Sequence, residues 1–194
     1  MIYTSNLSSL PNTKVELDAG VSLSAVWKRV HHPSLVSETK EILYLLSHRK
    51  LPVKERLFRI GLLVDPYCEI CIEICQSQDA IVDFEHYFCS CQKVSLVWPS
   101  IRDILVVLAR QNVTDSDLIL LRFPKSRYEN EMSWLVGSYV QHVWQLLNSE
   151  GVSMIDRGQL FGYLKYKYRV DQLGARKEFV ESSLIEHLEK YSVS

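Results

Sequence analysis

Apolar positions along this chain recur at the three-to-four-residue period of helices with one face turned inward. The first such run predicts a helix from Ser22 or Ser24 to about His32, stopped by Pro33. Ser37 reads as the N-cap of a second helix through about Arg49, with Ile42, Leu45 and Leu46 in its stripe and Leu43 and Tyr44 widening it. Leu51-Pro52 breaks that helix, and a short third one over 53–60 ends at Gly61, a residue suited to a helix C-terminus. Further on, Pro99 divides the apolar stretch 94–108 into a helix ending near Trp98 and another from Pro99 to about Gln111. The run Leu118-Ile119-Leu120-Leu121 within 115–123 fits a strand or a short buried helix equally. The clearest helix covers Ser126 to about Ser149, where Met132, Leu135, Val136, Tyr139, Val140, Val143, Trp144 and Leu147 form one wide stripe before Gly151. Ser153-x-x-Asp156 opens another helix to about Val170, and Gly174 separates it from a last one over 175–191. The fold class expected is mainly α.

Residues 1–20 carry Ser, Asn and Pro with little periodicity and read as a disordered leader. They lack the apolar core of a signal peptide, and no run of about 18 apolar residues predicts a membrane span. The chain has five cysteines, an odd number. Together with the missing export signal, this predicts an intracellular, reducing compartment, nucleus or cytoplasm, rather than a disulfide framework. There is no internal repeat and no Gly-rich phosphate loop.

Within 65–98 the chemistry concentrates. Asp65-Pro66 turns the chain into Cys68-Glu69-Ile70-Cys71, a knuckle that aims two sulfurs at one point. His86 and then Cys91, with four residues between them, can complete a Cys3His set of the kind that holds structural zinc. Buried reduced thiols are the plain alternative, since free cysteine packs as a small hydrophobe. A redox Cys-x-x-Cys is another, but it calls for a βαβ context that is not legible here. Cys75 and Cys89 could each replace a neighbouring ligand, and are ranked as spare thiols. Asp83 is a credible N-cap for a short helix carrying His86. Residues five apart on an α-helix point about 140° away from each other, at about 100° per residue. His86 and Cys91 can therefore share an ion only if the helix ends or loosens between them.

Those residues, with their flanks, resemble the zinc-binding segment that follows the reverse transcriptase in non-LTR (LINE-type) retrotransposon polyproteins. The run of that family is a Trp and a helix, a His-x-x-Leu-Pro element with a further Leu, a Pro before Cys-x2-Cys, a His-x-Phe-x-x-Cys and a Trp. This chain shows Trp27, His48-Arg49-Lys50-Leu51-Pro52, Leu57, Pro66-Tyr67-Cys68, Cys71, His86-Tyr87-Phe88-Cys89-Ser90-Cys91 and Trp98 in that order. It departs from the pattern in having Arg49 for Gly, Val53 for Thr and Val82-Asp83 for Glu-Thr, and in a longer gap before His86. The tail beyond residue 100 is similar to the weakly patterned end of such polyproteins. The resemblance implies three parts: the leader 1–20, a zinc-binding domain over 21–98 holding a knuckle between helices, and a helical region over 99–194. It also implies a module that helps seat RNA or DNA near a polymerase.

Charge qualifies that expectation. The formal net charge is −1, against the basic balance usual for nucleic-acid binders. Two strips are nevertheless basic. Residues 27–60 carry Lys28, Arg29, Lys40, Arg49, Lys50, Lys54, Arg56 and Arg59 against Glu38, Glu41 and Glu55, and 156–180 have six cations against three carboxylates. The residues expected to meet phosphates are Lys28, Arg29, Arg49, Lys50, Lys54 and Arg56, with solvated helix faces as the plain alternative. Tyr67, Tyr87 and Trp98 could stack on bases, although core packing is preferred for Trp27 and Trp98. His31, His32 and His48 could also face phosphates, with helix capping the plain reading of His48.

No adjacent Asp-Asp pair occurs, and Asp103, Asp115, Asp117 and Glu129 are scattered, so polymerase and nuclease metal sites are not expected. The functional expectation is a non-catalytic zinc module contacting RNA or DNA, with no membrane and no small-molecule substrate. The alternatives are a zinc-stapled scaffold for a protein partner and a functionless transposon remnant.

Overall fold

A computed structural model describes residues 22–33, 35–75, 80–149, 154–174 and 183–192. It is mainly helical, and among the described residues no strand occurs, only an isolated antiparallel bridge between Tyr67 and Ile81. The helices are α1 (Leu23–Val30), α2 (Ser37–Ser47), α3 (Lys54–Arg59), α4 (Glu69–Cys75), α5 (Trp98–Ala109), α6 (Asp115–Ile119), α7 (Glu129–Leu147), α8 (Arg157–Gly174) and α9 (Ser183–Ser192). The expected leader over 1–20 lies outside the described residues.

Local chemistry explains most boundaries. Ser22 caps α1 by accepting from the Ala25 amide. Ser37 is the first residue of α2, not its cap, because Val36 holds the extended cap conformation without a side-chain bond. The segment expected as a helix over 94–98 is instead a 3-10 turn at Gln92–Val94, and α5 starts at Trp98 with Pro99 in its first turn. The ambiguous 115–123 run is helical in α6, capped by Thr114, and then turns sharply at Leu121 with φ 58°. Asp156 accepts from the Gln159 amide at 2.8 Å and so caps α8, which continues to Gly174 rather than ending near Val170. Gly61, with φ 76°, occupies the left-handed position after α3.

Helix α7 is the centre of the packing. Its stripe residues Met132, Leu135, Val136, Tyr139, Val140 and Val143 are buried as the periodicity predicts. Ser133, Ser138 and Gln141 on its other faces are buried as well, because α1, α2, α5, α6 and α8 surround it. A helix clothed on all sides needs small or paired polar residues where neighbours come close. Gly137 is one such residue: a Cβ there would lie 2.7 Å from Thr39 Cγ2 on α2. Thr39 in turn donates a buried hydrogen bond to Gln141 Oε1. Towards α8, Trp134 donates to Asp171 at 2.8 Å and meets the Tyr168 ring edge-on. One apolar core takes in residues from Val26 to Leu188. Each fully buried Leu or Phe in it contributes roughly 1.5–3 kcal/mol.

Candidate metal centre

Cys68, Cys71, His86 and Cys91 converge. One donor atom from each lies within 4.8 Å of all the others, and the group could hold a metal ion. Sγ of Cys68 is 3.8 Å from Sγ of Cys91, Sγ of Cys71 is 3.9 Å from that of Cys91, and Sγ of Cys71 is 3.5 Å from Nε2 of His86. These separations are far beyond the roughly 2.05 Å of a disulfide.

The first half of the site is built by a turn and a helix start. Asp65 accepts from the Tyr67 amide beside Pro66 and folds the chain back. The Cys68 amide then bonds the Ala80 carbonyl and the Val82 amide the Pro66 carbonyl, closing the loop at the Tyr67–Ile81 bridge. The Ile72 amide bonds the Cys68 carbonyl, so Cys68 and Cys71 sit one helical turn apart on one side of α4. Helix α4 is absent from the sequence expectation. Ile70, Ile72 and Ile74 alternate with polar residues and cysteines as a strand would, which hid it.

The second half realises the irregularity that the spacing demanded. Asp83 caps the turn by accepting from the His86 amide at 2.7 Å. From His86 to Ser90 the backbone widens into a π-helical turn, closed by the Cys91 amide on the His86 carbonyl at 2.8 Å. A ring closed over five residues brings the fifth residue back above the first, where an α-helix would have turned it away. The turn is anchored from behind by Tyr139, whose hydroxyl donates to the Phe88 carbonyl. The Ile155 amide bonds the Lys93 carbonyl just beyond it. Inside the site the Gln92 amide points at Cys71 Sγ, 3.4 Å away, a donor that favours thiolate over thiol.

Burial acts on three of the four donors. Burial pushes the Cys71 thiol up and the Cys91 thiol up to about 12. Burial lowers the half-buried His86, against the pull of Asp83. A cation entering here must displace thiol protons and finds an imidazole already neutral. Cys89 is buried, its thiol also pushed up by burial, and it is not part of the four-donor group. The side chain of Cys75 lies outside the described residues.

The six basic residues divide. Arg29 is 3% exposed, with Nε 2.8 Å from Glu129, Nη1 donating to the Leu121 carbonyl at 2.7 Å, and its guanidinium over the Phe123 ring. It ties α1 to the segment before α7 and has no face left for a phosphate. Sequence periodicity carries no sign of this, because both partners lie about a hundred residues away. Lys28 and Lys50 are exposed. Lys54 bonds the Tyr67 carbonyl and Glu69, both at 3.0 Å. Arg49 and Arg56 are half-buried side by side, Arg56 Nη1 donating to the Arg49 carbonyl at 3.2 Å. Trp98 is core, as expected, and its indole bonds Asp115 at 2.9 Å, giving that carboxylate a structural task. Tyr87 packs against Phe88 and Trp144, and Trp27 stacks on His31. No protein family, curated protein or solved structure matches this chain.

Proposed function

We propose that Cys68, Cys71, His86 and Cys91 hold a structural zinc ion, and that the chain is a non-catalytic module of the kind that follows a non-LTR reverse transcriptase, contacting RNA or DNA. The spacing of the donor atoms carries the zinc reading. A tetrahedron with Zn–S near 2.3 Å and Zn–N near 2.0–2.1 Å has S···S edges of about 3.8 Å and S···N edges of about 3.5 Å. The three separations of 3.8, 3.9 and 3.5 Å match those edges. Three soft thiolates with one imidazole suit zinc over magnesium or calcium, which take oxygen ligands. Four protein donors leave no open position for a substrate, which supports a structural ion.

The nucleic-acid part rests on the basic residues Lys28, Lys50, Arg49, Arg56 and Lys54, of which Lys54 reaches the Tyr67 carbonyl of the closed loop, and on the ordered series of motifs around the ligands. Metal content of purified protein, followed by chelation monitored by circular dichroism, tests the zinc. One equivalent and chelator-induced loss of structure are expected; less than half an equivalent, with a fold indifferent to chelator, overturns it. Filter binding of RNA and DNA over a salt series tests the second part. Affinity falling steeply with salt is expected, and none at low salt overturns it.

A second reading draws on an exposed apolar tip, with Ile60, Leu62 and Val64 at 56%, 69% and 93% exposure. Such a patch suits a protein partner for a zinc-stapled scaffold. Absent nucleic-acid binding in a zinc-loaded chain favours this scaffold.

A further inference from the structure

Between the end of α2, helix α3 and the turn that leads into His86 lies a cleft of about 220 Å³ lined by Arg49, Arg56 and Arg59. Two carboxylates also line it: Glu55, paired with Arg59, and Asp83, one oxygen of which accepts from the His86 amide, so three guanidinium groups stand against two carboxylates. Among the described residues neither Arg49 nor Arg56 has a carboxylate partner. The Nε groups of Arg49 and Arg59 are buried with no acceptor at all, and a buried donor without a partner costs free energy that a bound acceptor would recover.

The backbone at Arg49 adds an independent sign. It closes α2 in a Schellman turn, its own amide bonding Leu46 and the Lys50 amide bonding Leu45. That turn places Arg49 at φ 52°, a left-handed conformation glycine adopts freely and arginine does not. The chain thus holds its guanidinium at the cleft, over the Phe84 ring at 5.4 Å, in a backbone position that suits the fold less well than glycine.

We propose that this cleft binds a phosphate group, with Arg49 and Arg56 as its principal donors and Arg59 held behind them by Glu55. Guanidinium forks match phosphate oxygens in pairs, and a site walled by Leu51, Val53 and Phe84 screens that pairing less than open surface does. The occupant is one phosphate of a nucleic-acid backbone, a source that rests on the function proposed above. The phosphate chemistry of the cleft stands apart from it. Asp83 and Phe84, which line the cleft, lead directly into the turn that carries His86.

The test uses the full zinc-loaded chain and its Arg49→Gly, Arg56→Gln and Arg169→Gln variants. The last removes the same charge from an exposed pair on α8, away from the cleft. Pyrophosphate binding is measured by calorimetry, and binding of a labelled single-stranded RNA or DNA by anisotropy. Arg49→Gly is expected to melt no lower than the parent yet bind both probes about tenfold more weakly. Arg56→Gln follows it, and Arg169→Gln changes little. Equal small losses in all three variants reduce the effect to general charge and overturn the cleft. RNA binding unaffected by Arg49→Gly and Arg56→Gln also overturns it, while leaving the nucleic-acid function standing. Pyrophosphate binding that both variants abolish, with no RNA or DNA bound, supports the cleft, assigns it to a free phosphate compound and overturns the polynucleotide. No binding of either probe overturns both proposals.

Discussion

The hydroxyl of Tyr139 donates to the carbonyl of Phe88 at 2.5 Å, joining the centre of α7 to the π-helical turn between His86 and Cys91. Tyr139 is fully buried, and burial holds its phenol well above the usual range, so it remains a donor throughout the working pH range. The contact makes the geometry of the four-donor cluster a property of the whole helical body.

Tyr139→Phe keeps the ring and strands the Phe88 carbonyl. A loss of about 1–3 kcal/mol is expected, because an orphaned buried acceptor keeps its full desolvation cost. Denaturant titration reads the stability, and competition with a colorimetric zinc chelator reads the affinity, which falls in parallel. A variant with unchanged midpoint and zinc affinity would show that the turn holds itself.

Replacing Cys91 by Ser should remove bound zinc and collapse the 65–98 region, whereas Cys89→Ser should retain a full equivalent. Only Cys91 belongs to the converging set. Metal analysis of the two purified variants decides the point, and zinc lost from Cys89→Ser would move the ligand assignment.

The response to pH carries opposite signs at the two ends of the scale. In the metal-free chain an unfolded thiol ionises near 9, while burial holds Cys91 to about 12. The unfolded chain then binds fewer protons, so stability falls as pH rises from about 9 towards 12. His86 is shifted down, so below about 6.5 the unfolded chain binds more protons and metal-free stability falls with acid. The proposed zinc would add its own acid sensitivity, since each thiol proton released costs about tenfold in affinity per pH unit lost. Thermal melts with and without chelator from pH 5 to 10 should converge at the acid end, and melts that stay apart there would contradict proton-coupled binding.

Gly137→Ala places a methyl against Thr39 Cγ2, Leu35 and Leu43. Helix propensity favours Ala by about 1 kcal/mol, but overpacking of this kind costs typically 1–3 kcal/mol. Net destabilisation by denaturant titration is expected, and a stabilised variant would mean that α2 moves freely on α7.

Arg29→Met separates the buried arginine from the exposed basic set. It leaves Glu129 and the Leu121 carbonyl without their partner, at a cost of about 3 kcal/mol. The salt dependence of nucleic-acid binding should stay as in the parent. A shallower salt slope in a folded Arg29→Met chain would return Arg29 to the phosphate contacts.

Reading from residues alone recovers α1 from its Ser22 cap, α3 from the Pro52 and Gly61 that bound it, and α7 from its long apolar stripe. It recovers the four converging donors because ligand spacing is local chemistry. It also required a break between His86 and Cys91, from the helical angle alone. Periodicity could not show that the break is a π turn, because a carbonyl reached from α7 decides where the widened ring is held. It missed α4, where isoleucines alternate as in a strand but loop closure between Pro66 and Val82 starts a helix. The fate of charge was least legible. Arg29 and Arg49 look alike in sequence, yet Glu129 and Leu121, a hundred residues on, bury one, while a left-handed turn holds the other at a cleft. Local spacing carries caps, stripes and ligands. Burial depends on which distant element packs against a residue, and only the tertiary structure sets that.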